Sequence, residues 1–127
     1  MNYFRRAGSG RPGRRRLRVL IVDCHEPEMA RAQRALRAAG HETNGARDLA
    51  AASVLIDSAD VVVLDPGPGE QTLRELAPAL SVDGTLILYS DRHDQPHGSG
   101  RPVIALAKGD LTALLDAVAG ASLHYSY

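Results

Sequence analysis

A single cysteine, Cys24, in 127 residues excludes any internal disulfide. No apolar run is long enough to span a membrane, and no apolar segment follows the early arginines as a secretory leader would require. These absences make a cytoplasmic protein the economical expectation. Acids are missing from residues 1–18, which hold seven of the 15 basic residues: Arg5, Arg6, Arg11, Arg14, Arg15, Arg16 and Arg18. The other residues then carry eight basic groups against 15 acidic ones, so a formal net charge of zero conceals an acidic body behind a basic tail. With Gly8, Gly10, Pro12 and Gly13 among its arginines, the stretch 1–16 cannot bury enough apolar surface to order itself and is expected to be flexible. An arginine-rich arm alone does not make a nucleic-acid-binding protein, so RNA or DNA would be reached only through this tail.

What remains is one domain, expected over 17–120, with a short tail at 121–127. Its organising stretch is Val61-Val62-Val63-Leu64-Asp65. Four apolar residues in a row, three of them β-branched, read as a short strand buried on both faces, the pattern of a central parallel strand. Pro66-Gly67-Pro68-Gly69 then forbids continuation and holds Asp65 at the mouth of a loop. Leu17 to Val22 is a second such strand, ending in Asp23-Cys24-His25; Thr85 to Tyr89 is another, ending in Ser90-Asp91; Pro102 to Ala107 ends in Lys108-Gly109. His41 to Ala46 is a weak edge strand, recognised mainly by its place between two helical patterns.

Helical spacing fills the gaps. Glu26-Pro27-Glu28 opens a helix closed by Gly40, with Met29, Gln33, Leu36 and Ala39–Gly40 giving its period and Arg31, Arg34 and Arg37 on a more exposed side. Asp48 caps a second helix through about Ile56. Leu73, Leu76, Ala77 and Leu80 form a short or kinked helix around Pro78, and Asp110 caps a last one that Gly120 should stop, with Leu111, Leu114, Leu115 and Val118 at i, i+3, i+4, i+7. Strand and helix in alternation require right-handed crossovers, a parallel sheet and helices on both faces: an α/β fold. Ligands in such sheets bind at the carboxyl edge. There the strand ends deliver Asp23, Asp65, Ser90 and Lys108, two carboxylates, a hydroxyl and an ammonium, a set suited to a hard divalent cation and a phosphoryl group.

In Val-Leu-Ile-Val-Asp-Cys-His-Glu, Val-Val-Val-Leu-Asp, Tyr-Ser and Ala-Lys the chain resembles a receiver domain of bacterial two-component response regulators, over roughly Leu17 to Ala119. The resemblance implies a flavodoxin-like (βα)5 fold with strand order 2-1-3-4-5. It implies a phosphoryl group taken from a histidine kinase onto Asp65, with Ser90 as the switch hydroxyl and Lys108 as the family's lysine. It also implies Mg2+ held by Asp23, Asp65 and the backbone carbonyl of Gly67. Four departures qualify it. Cys24 stands where the family has its second acid, a poor donor to Mg2+, so Mg2+ binding is expected to be weak. Ala105 replaces the aromatic three residues before the lysine, Gly109 replaces a proline, and the polar stretch Arg92–Arg101 replaces the fourth helix. The expectation is an atypical receiver that is not an enzyme and acts by binding a kinase, another signalling protein or a second copy of itself, with phosphorylation at Asp65 weak or absent. The conventional phosphoacceptor is the alternative. Within these residues no helix-turn-helix output element is expected after the last helix, so either the domain stands alone or an output part was removed.

Other readings fare worse. Asp60 to Pro66 also suits the middle of a class I methyltransferase, but Asp23-Cys24-His25-Glu26-Pro27 lacks that fold's glycine-rich cofactor loop. His93, Asp94 and His97 have metal-compatible side chains in a Gly/Pro-rich loop where solvated polar residues are expected. Cys24, just before a helix, has the setting of a sensing thiol, though a small residue replacing an acid explains it as well.

Overall fold

The computed structural model describes residues 16–65, 84–91 and 103–124. The loop expected at Pro66–Gly69, with Gly67, the helix expected around Pro78, the stretch Arg92–Arg101 and residues 1–15 and 125–127 lie outside the described residues. Five parallel strands form one sheet: β1 (Arg18–Val22), β2 (Glu42–Ala46), β3 (Val61–Leu64), β4 (Thr85–Ser90) and β5 (Val103–Ala107), in spatial order β2-β1-β3-β4-β5. This is the flavodoxin-like order expected from the sequence. The described helices are α1 (Glu26–Ala38), α2 (Leu49–Leu55), a 3-10 turn at Ile56–Ser58 and, called α3 here, Leu111–His124.

Alternation of side chains along each strand divides the core in two. Leu20, Val22, Val62, Leu64, Leu86 and Leu88 point to one face, where they pack with Ala52 and Ile56 from α2 and the turn after it. Val19, Ile21, Val61, Val63, Ile87 and Tyr89 point to the other, against Ala32 and Leu36 of α1 and Leu114, Val118 and Ala121 of α3. Every residue of β3 is buried, as its unbroken apolar run requires of a strand covered on both sides.

Local signals account for the helix ends. Asp48 Oδ1 accepts the Ala51 amide at 2.8 Å, and Asp110 Oδ1 accepts that of Ala113 at 3.0 Å, both as N-caps. Gly40 takes φ +99° after α1, a conformation that side chains rarely adopt. Gly120 does not stop α3, contrary to expectation. The helix runs on to His124 because Ala121 is buried against the sheet, and that packing outweighs one glycine's propensity. In α1 the inward position is Ala32, not Ala39 or Gly40, which are exposed. The weak edge strand is real, and its Gly45 has a packing reason. A Cβ there would lie 2.7 Å from Met29 Sδ, so the glycine leaves room for the Met29 side chain of α1 to lie against β2.

His41 closes the far end of this sheet. Its Nδ1 accepts the Leu17 amide at 3.2 Å, which only a ring unprotonated at that nitrogen can do. Burial, reinforced by the Arg16 guanidinium, holds its pKa below the usual histidine value. The unfolded chain therefore takes up this proton more readily than the fold does. His41 contributes stability that is complete above about pH 6.5 and lost as pH falls through its lowered folded value. Urea unfolding at pH 7.5 and pH 5 should show the wild type losing more stability on acidification than His41→Asn, whose amide oxygen keeps the acceptor without titrating. Equal losses would contradict this assignment.

Candidate functional site

Register builds the site. Val22 of β1 pairs with Leu64 of β3, so Asp23 and Asp65, one step on, stand side by side at the carboxyl edge. The ladder continues just past the strands to fix them: the Asp23 amide donates to the Ala46 carbonyl at 3.0 Å, and that of Asp65 to the Val22 carbonyl at 2.9 Å. Leu64 pairs with Leu88 and Ser90 with Ala107, which brings Ser90 and then Lys108 to the same edge. All four strand-end residues read from the sequence are thus placed together.

Lys108 Nζ donates to Asp23 Oδ2 and to Asp65 Oδ2, each at 2.5 Å. The three side chains are buried, at 6%, 4% and 12% exposure, so this triad is shielded from the screening that makes surface ion pairs weak. Burial alone would pull the Lys108 ammonium down. Hydrogen bonds and charge from Asp23 and Asp65 outweigh it, and its pKa ends above the ordinary lysine value. The stability this raised pKa contributes is complete below about pH 10.5 and lost only as pH rises through the folded value. At neutral pH the triad is fully charged on its lysine. Ser90 is buried at the end of β4 beside it.

The departures also have local explanations. Gly109 takes φ +94°, and its amide donates to the Tyr89 hydroxyl at 3.0 Å. A proline there would have neither the conformation nor the proton. Ala105, at the position of the missing aromatic, is exposed. Tyr89 is the aromatic near the edge. Its phenol, held up by burial and only partly brought down by the Gly109 bond, stays protonated at neutral pH. Sequence reasoning gave Tyr89 no role, although its place one residue before Ser90 was a usable signal.

Cys24 and His25 are exposed at the lip of the site. His25 precedes α1, its amide donating to Asp23 Oδ1 at 2.8 Å, and its Nδ1 lies 3.3 Å from that oxygen and 3.8 Å from Cys24 Sγ. His25 also carried no role in the sequence reading. The donor set suits Mg2+ in only two respects, the hard oxygens of Asp23 and Asp65; Cys24 offers sulfur, which Mg2+ disfavours.

Compared by sequence, no family model and no curated protein matches the chain. Its fold is another matter. The receiver domain of the hybrid histidine kinase CckA superposes with TM-score 0.65 at 25% identity, over 82% of this chain and 97% of that one. The fold is that of response regulator receiver domains. The receiver domain of Francisella response regulator 1452 aligns with TM-score 0.71 at 22% identity, covering 85% of this chain and 98% of its own. Response regulator TrrA from Thermotoga maritima, solved in complex with Mg2+-BeF, aligns with TM-score 0.66 at 19% identity, covering 83% and 98%. Among the described residues, no helix of this receiver-like fold is long and apolar enough to cross a membrane.

Lys108→Met would remove the cation that Asp23 and Asp65 share and leave their two negative charges side by side, and removing one partner of a buried ion pair costs about 3 kcal/mol. We expect urea unfolding at pH 7 to show a loss of that order. The double variant Lys108→Met/Asp65→Asn should recover part of that loss, since removing one carboxylate relieves the repulsion. No recovery would mean that Lys108 matters through packing alone.

Proposed function

We propose that the chain is an atypical receiver domain of two-component signalling, a binding module and not an enzyme, that works through a protein partner with phosphorylation at Asp65 weak or absent. The partner is a histidine kinase or another signalling protein in the cytoplasm, with a second copy of this chain as the other candidate. The receiver fold supports the signalling role, and one observation carries the atypical reading: at the edge where Asp23 and Asp65 meet, the next side chain is the thiol of Cys24. Asp23, Asp65 and the Gly67 carbonyl would hold Mg2+, weakly for want of the carboxylate that Cys24 replaces. When bound, Mg2+ would neutralise charge on an incoming phosphoryl group.

The chain's own residues retain the rest of a phosphoacceptor. Asp65 stands at the loop mouth as nucleophile, its carboxylate oxygen attacking phosphorus as the donor's leaving group departs. Lys108 is already positioned by Asp65 and can stabilise negative charge beside it. Ser90 would offer its hydroxyl to a phosphoryl oxygen. What limits the reaction in this reading is the cation, not the nucleophile.

Intact-mass measurement after incubation with a small phosphodonor and Mg2+ tests the proposal. Wild type should gain little or no phosphoryl mass, Asp65→Asn none, and Cys24→Asp about tenfold more than wild type or better, the scale on which ligand changes alter metal sites. Stoichiometric, Mg2+-dependent modification of wild type that disappears in Asp65→Asn would sink the proposal in favour of a conventional phosphoacceptor.

A further inference from the structure

The side chains that make the edge poor for Mg2+ make it good for a different ion. We propose that Asp23, Cys24 and His25 form a site for a borderline-soft divalent cation, Zn2+, with the fourth position open to water. One oxygen, one sulfur and one nitrogen from these residues lie within 4.8 Å of one another. Two of the separations are 3.3 Å between Asp23 Oδ1 and His25 Nδ1, and 3.8 Å between His25 Nδ1 and Cys24 Sγ. Ligands bonded to tetrahedral zinc at about 2.0–2.3 Å stand about 3.3–3.6 Å apart, so these two pairs are near bound spacing, and the exposed Cys24 side chain has room to adjust to the third.

The donors divide their work cleanly. Lys108 occupies Oδ2 of Asp23, while Oδ1 is the oxygen turned toward His25. The zinc oxygen is therefore held in place by a buried lysine acting from the far side of the same carboxylate, as carboxylate ligands of metals commonly are oriented by a second partner. Cys24 and His25 are exposed, so an ion has direct access from solvent. On binding, the Cys24 thiol gives its proton to solvent and the sulfur binds as thiolate, while His25 binds through its neutral ring. Thiolate and imidazole prefer Zn2+ over Mg2+ for the same reason that they spoil a hard-ion site. This proposal is independent of whether Asp65 accepts phosphate.

Cys24 is the only cysteine, so any thiolate–metal signal from the chain reports this site and no other. Titrating the full chain with Co2+ as a spectroscopic substitute should give a thiolate-to-cobalt charge-transfer band that saturates at one ion per chain and is displaced by Zn2+. Mg2+ at the concentration of the added Co2+ should leave it unchanged. Cys24→Ser should abolish the band, and Cys24→Ser and His25→Ala should each weaken Zn2+ binding by about tenfold or more. As both residues are exposed, neither change threatens folding, and zinc should also protect Cys24 from alkylation in the wild type. Zinc binding that survives Cys24→Ser but is lost when His93 and His97 are replaced would overturn the proposal by placing the ion elsewhere, and absence of any thiolate band would overturn it outright.

Discussion

A lysine ammonium held between two aspartates ties the ends of three strands together. Asp23 follows β1, Asp65 follows β3 and Lys108 follows β5, so one cation joins chain segments 43 residues apart and farther. Two carboxylates brought this close by strand register repel one another, and the positive charge between them offsets that repulsion. Lys108 is the only lysine among 15 basic residues, the other 14 being arginines. A compact ammonium on a flexible stem can enter a gap between two carboxylates that a planar guanidinium would have to span.

The same register explains how much of the fold was legible. β1, β3 and β4 are apolar runs bounded by polar residues, and a parallel sheet covered on both faces leaves few other uses for such runs. Asp48 and Asp110 marked helix starts because the capping carboxylate and the exposed amide are both local. What escaped was decided by packing between elements. Whether Gly120 ends a helix depends on Ala121 joining the core shared by the sheet and α1, and whether Ala32 or Ala39 faces inward depends on which side of α1 that same core covers. Neither contact is written within one turn of the residues concerned.

The site divides along the same line. Asp23, Asp65, Ser90 and Lys108 could be found because position after a buried strand is a local property that parallel topology converts into a shared edge. His25 and Tyr89 could not be assigned roles in this way. Each acts through a partner set by backbone geometry: His25 by a turn that folds its ring toward Asp23, Tyr89 by the positive φ of Gly109 that aims an amide at its hydroxyl. Gly109 is instructive because it looked like a plain loss of proline, whereas it supplies a hydrogen bond that proline cannot make.

Replacing an acid by Cys24 has consequences on two levels that pull in one direction. At the level of coordination, sulfur lowers the affinity for a hard cation, and at the level of charge it removes one negative group from an edge that Lys108 already neutralises in part. Lys108 engages both Asp23 and Asp65, offsets one of their two charges and ties the strand ends together by itself. A metal that binds here therefore does not have to hold the fold together, unlike the structural zinc of small domains that are unfolded without it. Its binding free energy is left over for selecting between states of the exposed lip formed by Cys24, His25 and the start of α1, and an ion can shift an equilibrium only by as much as it prefers one such state. On this receiver-like fold, that lip is where a signal other than phosphate would gain purchase on the same edge.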